Sequence, residues 1–326
     1  MMKRARRVVL GAVLLSISAA AFAQGAWPSH PIKMIVPFAP GGASDFVARI
    51  ISQPLSDALG QQIVVDNRAG ASGNIGMEVA ARAAPDGYTV FLGNIGTVAI
   101  NPGVFKTMPI DTQRDLVPVS LVAEVPSILV VNPELPVDTV ADLVRLAKSK
   151  PGKLNFASPG PSTLNRLEME QFMKDAGLSI MHVPYKGGAG PAVLALLANE
   201  TQVAFITLSS AMAQVQANRL RPLAVTSSSR VEGLSKVATM VESGYPDMVS
   251  TSWQGVFVPA GTPRSVVMRL HKALIKVLSS SDVEKKLTAG GVSVVQSASP
   301  DDFAGFVGTE IVRWGRVARE SGATAE

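Results

Sequence analysis

Short apolar runs rich in Val, Ile and Phe recur along the chain, each bounded by turn residues, and such runs predict strands. They fall at Ile32–Phe38, Gln62–Asp66, Tyr88–Leu92, Ile128–Asn132, Leu154–Ala157, Val203–Thr207, Leu223–Thr226 and Gly255–Val258. Between them the apolar positions take helical spacing. Phe46, Val47, Ile50, Ile51, Leu55 and Leu59 form one such stripe. Pro54 lies inside it and is expected to bend or restart the helix. Thr139–Lys148 predicts another helix with Asp138 as its N-cap, and Pro191–Leu197 and Ser265–Leu278 predict two more. Alternation of strand and helix predicts an α/β fold with parallel or mixed sheets covered by helices. No internal repeat or low-complexity linker interrupts the pattern, so two lobes joined by crossing strands are expected.

The N-terminus departs from this pattern. Lys3, Arg4, Arg6 and Arg7 precede a short apolar stretch, Val8 to Ala21, and Ala21-Phe22-Ala23 is a small-x-small site before Gln24. That order predicts a secretory signal peptide over residues 1–23 rather than a membrane anchor. Its removal lowers the net charge from +5 by four, to +1. Nucleic acid therefore loses its electrostatic argument as a partner. The chain has no cysteine, which excludes disulfides, cysteine metal sites and a cysteine-borne lipid anchor. No later stretch approaches the roughly 20 apolar residues that span a bilayer. The length of 326 residues suggests about two domains. These features predict a soluble, exported, periplasmic protein.

The loops after the strands carry the candidate chemistry. Pro40-Gly41-Gly42 stands between a strand and a helix, where free backbone N–H groups at a positive dipole end suit a phosphate or a carboxylate. Asp45 is expected at or near the N-cap. A plain capped turn explains the same residues. A Walker loop is excluded because Ala43-Ser44-Asp45 follows Gly42. Gly70-Ala71-Ser72-Gly73-Asn74-Ile75-Gly76 has the wrong first spacing for a dinucleotide fingerprint, and no G-x-S-x-G elbow is present. Lys186-Gly187-Gly188 lacks the Ser or Thr of a phosphate loop. Further small-polar loops follow other strands: Asn67–Asn74, Gly93–Thr97 and Ser158–Thr163. In open α/β sheets ligands bind beyond the carboxyl ends of strands. A cleft lined by N–H and hydroxyl donors, short of charge, is therefore expected. The histidines, His30, His182 and His271, have no metal spacing and no evident nucleophile partner, so neither a metal, a cofactor nor an enzyme is predicted.

Taken in order, the segments VPFAPGGASD, VVDNRAGASGNIG, AAPDGYTVFLG, INPGVFK, DLVPVSLVA, KPGKLNFAS, VPYKGGAGPAVLALL and RLRPLAVTS resemble the Bug-type receptors of tripartite tricarboxylate transporters. They span nearly all of residues 28–320. The resemblance implies a two-lobed periplasmic binding-protein fold of type II. One lobe would hold residues 26–127 and 249–326, the other 128–248, with the ligand cleft between them. It implies a small carboxylate ligand, a large and a small integral membrane permease subunit as partners, and a monomer by default. Presentation of the ligand to a membrane sensor is the alternative.

Carried over by residue, the resemblance makes Phe38, Ala39, Gly41, Gly42 and Ser44 cleft wall and donors, with Asp45 as cap. Ser72, Asn94, Thr97, Ser158 and Thr163 follow from the other loops, and Tyr185, Lys186 and Gly187 form an adjoining wall. Two departures from the family pattern stand out. Arg166 replaces a histidine; it either pairs with Glu170 at i,i+4 or reaches the cleft to bind a second carboxylate. Ile206-Thr207 stands where many members carry Asp and a polar residue. Loss of that acid predicts a ligand without an ammonium group, either an aliphatic diacid or an aromatic acid.

Overall fold

The computed structural model describes residues 27–320, with side chains to 318, so the expected leader lies outside the described residues. Strand β1 (Ile32–Val36) is flanked in parallel by β2 (Ile63–Asn67) and β3 (Thr89–Asn94). Helix α1 (Ala43–Leu59) connects β1 to β2, and α2 (Asn74–Ala81) lies between β2 and β3. The face alternation of β1 is visible in its packing. Ile32, Met34 and Val36 join the core under α1, while Ile35 joins the core on the opposite face. Both faces are covered, which is why the strand reads as one apolar run.

β10 (Thr251–Pro259) pairs antiparallel with β3 on one side and with β4 (Leu116–Val131) on the other. β4 is the strand that both lobes share. Up to Pro126 it pairs with β10; from Ser127 onward it pairs with β7 (Val203–Thr207), and from Ile128 also with β8 (Arg221–Val225). β5 (Asn155–Ser158) and β6 (Met181–Pro184) continue that second sheet in parallel, beyond β7. Helices α3 (Val140–Ser149), α4 (Leu164–Ala176), α5 (Ala189–Leu197) and α6 (Leu208–Gln216) alternate with these strands. The chain then returns through β10 to α7 (Arg264–Leu278), α8 (Ser281–Ala289) and α9 (Pro300–Glu320). Phe303, Val307, Trp314 and Ala318 of α9 pack with Ile100 and Val104 in the first lobe's core.

Several expectations need correction. α1 runs through Pro54 as one helix of 17 residues. The cap of α3 is Thr139, not Asp138: its hydroxyl accepts from Asp142 N–H, and the Asp142 carboxylate accepts from Thr139 N–H. β4 is 16 residues long, far beyond the five expected at Ile128–Asn132. Pro118 and Pro126 concealed its first part, because proline ordinarily demotes a central strand. Both lie opposite β10, and the register with β10 shifts between Val256 and Phe257, where Phe257 meets Pro118.

Candidate functional site

One cavity lies where the two sheets present the carboxyl ends of their strands. From the first lobe it is lined by Phe38, Gly42, Ala43 and Ser44 after β1, by Asn94, Ile95 and Gly96 after β3, and by Ser252 and Gln254 of β10. From the second lobe it is lined by Pro159, Thr163, Leu164 and Asn165 after β5, by Ala189, and by Thr207. No lining side chain carries a formal charge. Five helical segments begin at it: α1, the turn Gly96–Ile100, α4, α5 and α6. The N-caps of α1 and α4, Gly42 and Thr163, make no side-chain cap bond, so the first-turn amides of both helices remain available. Their positive ends face the same space, where an anion is stabilised.

The walls are held by a few polar contacts. Ser44 is buried and its hydroxyl donates to Gln254 Oε1 at 2.7 Å. Asn94 Oδ1 accepts from Thr97 N–H at 3.0 Å, which leaves its amide nitrogen for the cavity. Thr163 Oγ1 donates to the Gly160 carbonyl at 3.0 Å, and Thr207 Oγ1 lies 2.9 Å from Ser210 Oγ. The lobes touch across the cleft: Ala39 N–H donates to the Gly187 carbonyl at 2.8 Å, and Ser162 Oγ donates to Asn101 Oδ1 at 2.6 Å. The enclosed space is about 40 Å³, room for about three waters. The cleft is closed.

Of the expected site residues, Phe38, Gly42, Ser44, Asn94, Thr163 and Thr207 line the cavity. The others do not, for identifiable reasons. The N–H of Ala39 is taken by Gly187, and both residues serve the closing contact. Gly41 N–H donates to Asp45 Oδ2 at 3.1 Å, so it offers nothing to a ligand. Asp45 sits three residues inside α1 rather than at its cap, which is Gly42. Burial raises its pKa, but bonds from Arg49, Gly41 N–H and Asn67 outweigh that and hold the carboxyl below its usual value. Asp45 is thus an ionised anchor for the glycine loop.

Thr97 is fully buried and turned onto Asn94. Ser72 stands against Gly160 of the other lobe, its hydroxyl buried without a protein partner. Ser158 Oγ contacts His182 Nε2 at 2.6 Å and the Gly160 carbonyl at 2.9 Å. Burial, with the nearby Arg166 charge, pushes His182 down to about 4. Among the described residues no carboxylate bonds His182, and Ser158 is fully buried, so the pair is a loop brace and not a nucleophile with its base. Arg166 follows the first of its two readings: it lies 3.5 Å from Glu170 and donates to the Pro161 carbonyl at 2.8 Å, outside the cavity. Tyr185 reaches Glu200, and Lys186 is exposed.

Ile206 also needs correction. Its side chain is fully buried in the core, paired across the sheet with Ile128, and does not border the cavity. The loss of an acid at that position therefore says nothing direct about the ligand. The argument passes to the lining itself, which has no carboxylate. Sequence reasoning missed Ser252, Gln254 and Asn165. The first two sit inside β10, where apolar neighbours disguise them, although two polar side chains at i,i+2 in a buried strand are a usable signal.

The comparisons with known proteins identify the family and the fold. The family model described as tripartite tricarboxylate transporter family receptor matches residues 47–323. The chain belongs to that family. It is 39% identical over 298 residues to Protein BugT of Bordetella pertussis, covering 91% of each chain. Among solved structures it resembles Rpa4515 of R. palustris with adipate, at a TM-score of 0.88 and 36% identity, covering 91% of this chain and 99% of that one. It also resembles MatC (Rpa3494) from Rhodopseudomonas palustris with bound malate, at 0.84 and 29%, covering 89% and 99%. The family is one of periplasmic solute receptors and not of enzymes, and the fold is the two-lobed α/β fold of periplasmic binding proteins. Among the described residues no helix is long and apolar enough to cross a membrane, and no group of side chains could hold a metal.

Proposed function

We propose that the protein is a periplasmic receptor for a small carboxylate without an amino group, and that it hands this ligand to the two membrane subunits of a tripartite permease. The observation that carries the reading is the uncharged cavity at which five helical segments begin. An ammonium would find no carboxylate there, whereas a carboxylate finds amide and hydroxyl donors. A hydrogen bond to a charged group contributes about 1.5–3 kcal/mol, and a helix N-terminus about 0.3–1 kcal/mol. Four or five such contacts, less the cost of association, reach the roughly 8 kcal/mol of a micromolar complex. Adipate and malate, bound by two similar receptors, are the model ligands.

The change of pairing at Ser127 supports lobe boundaries at 26–127 plus 249–326 and 128–248. Binding selects the closed arrangement, which is the form that would dock on the permease. A thermal-shift panel tests the ligand class. It would contain C4–C8 diacids, citrate, benzoate, terephthalate, nicotinate, glutamate and aspartate. A ligand at a hundred times its Kd stabilises by about 2.7 kcal/mol. We expect a concentration-dependent rise in Tm from a diacid or aromatic acid and none from the amino acids. Silence from every carboxylate overturns the reading.

A further inference from the structure

Behind the cavity, the helix that forms part of its wall also grips the place where the chain crosses between lobes. Asn165, in the first turn of α4, lines the cavity, and its amide donates to Ser127 Oγ at 2.8 Å and to Glu168 Oε2 at 3.1 Å. Glu168, one turn on, meets Ser250 Oγ at 2.5 Å. Ser127 is where β4 changes partners from β10 to β7. Ser250 lies on the returning segment, just before β10, and its N–H donates to the Thr226 carbonyl at 3.0 Å. Thr226 Oγ1 accepts from Ser127 N–H at 2.8 Å and contacts the Ser250 carbonyl at 2.9 Å, closing the ring. A single carboxyl, 5% exposed, thus ties α4 to both crossings.

Among the described residues no cation bonds it. Its bonding partners are serine hydroxyls and an asparagine amide. Glu168 also borders a groove between α4 and α9, of about 530 Å³, which gives it a route to solvent. The charged groups facing that groove are Glu170 and Lys174 on α4, Asp247 before β10, and Arg313 on α9; none bonds Glu168. Along β4 the nearest titratable side chain to Ser127 is Glu124, bonded to Thr251. An ionised carboxylate in such a setting is costly, whereas a neutral one fits. Burial indeed pushes the Glu168 pKa up, against the opposing effect of its hydrogen bonds.

We propose that Asn165 and Glu168 couple the ligand cavity to the lobe crossing, and that closing the lobes is linked to uptake of one proton at Glu168. Opening turns α4 against the two crossings, parts Glu168 from Ser250, and lets the carboxyl ionise in water from the groove. Higher pH then favours the open form, by at most tenfold per pH unit between the carboxyl's titration points in the open and closed forms. Glu168 is a positioning residue that touches no ligand. The inference that closure grips a carboxylate rests on the function proposed above, but the proton linkage itself is testable without ligand.

Because the chain has no cysteine, Arg68→Cys and Lys186→Cys can carry a pair of spin labels beside the Ala39–Gly187 contact. The distance distribution is recorded from pH 6 to 9 in this background and with Glu168→Gln added. Glutamine keeps the shape and a hydrogen-bonding end but cannot titrate. We expect the long-distance fraction to grow with pH over that range with Glu168, and to stay flat with glutamine. Equal pH responses in the two proteins, or none in the first, overturn the linkage. Adipate titrated into both at pH 6.5 and 8.5 tests the ligand separately: absence of adipate binding counts against the proposed function and leaves the distance result standing.

Discussion

At the scale of single residues, the cavity wall depends on pairs that lock each other. Ser44 Oγ satisfies Gln254 Oε1, and both groups are buried. Ser44→Ala strands that oxygen, which costs about 1–3 kcal/mol, and removes a hydroxyl from the wall. We expect a Tm lower by a few degrees and a diacid affinity weaker by about tenfold, read by calorimetry. Arg166 makes the opposite prediction. It supports the Pro161 carbonyl from outside the cavity, so Arg166→Ala should lower Tm while leaving diacid affinity within about threefold. A larger loss of affinity would place Arg166 on the ligand after all. Much of this was legible in the glycine loops, since Gly, Ser and Asn after a strand announce available donors. What was not legible was which N–H groups are already taken. Gly41 and Ala39 look as open as Gly42 in sequence, and only the partners Asp45 and Gly187 distinguish them. Ile206 misled for a similar reason: alternation along β7 turns it into the core and leaves Thr207 at the strand end to meet the cavity.

At the scale of elements, the fit between lobes is made by small residues on α5. A Cβ at Gly190 would stand 2.8 Å from the Pro40 carbonyl oxygen, a backbone atom of the facing lobe that cannot swing aside. Gly190 is inside a helix, so alanine favours the isolated lobe by up to about 1 kcal/mol. Gly190→Ala should therefore keep or raise the Tm of the free protein and weaken diacid binding by tenfold or more, because only the closed form carries the clash. A parallel fall in both quantities would show that the contact persists in the open form. Elements with strong periodicity, such as α1 and α7, were readable to within a few residues because one face of each is core. β6, β9 (Ala238–Thr239) and β11 (Ser293–Val294) were not, being two to four residues long and partly exposed.

At the scale of the whole molecule, two titrating groups, the half-buried His182 and the buried Glu168, act on stability with opposite sign. His182 has its pKa depressed to about 4 by burial and by Arg166, against about 6.5 in an unfolded chain. Between those values the unfolded chain binds the proton more readily, so stability is full above pH 6.5 and is lost as pH falls toward 4. Because the ring is partly exposed, solvent screening leaves this contribution at about 1–2 kcal/mol. Glu168 has its pKa raised by burial, so its contribution is complete at low pH and is lost as pH rises through its folded value. The two effects have opposite slopes and offset one another where they overlap in a wild-type scan. Melting curves of Glu168→Gln isolate the acid limb: Tm should fall by a few degrees between pH 6.5 and 4.5. Adding His182→Gln, which can still bond Ser158 Oγ, should flatten that fall. An acid limb of equal depth in the double variant would show that His182 does not set it; carboxylates such as Asp115, whose pKa is lowered to about 2 by Arg114, act only at lower pH. His182 would then be an inert brace rather than the group that sets the acid boundary of the closed receptor.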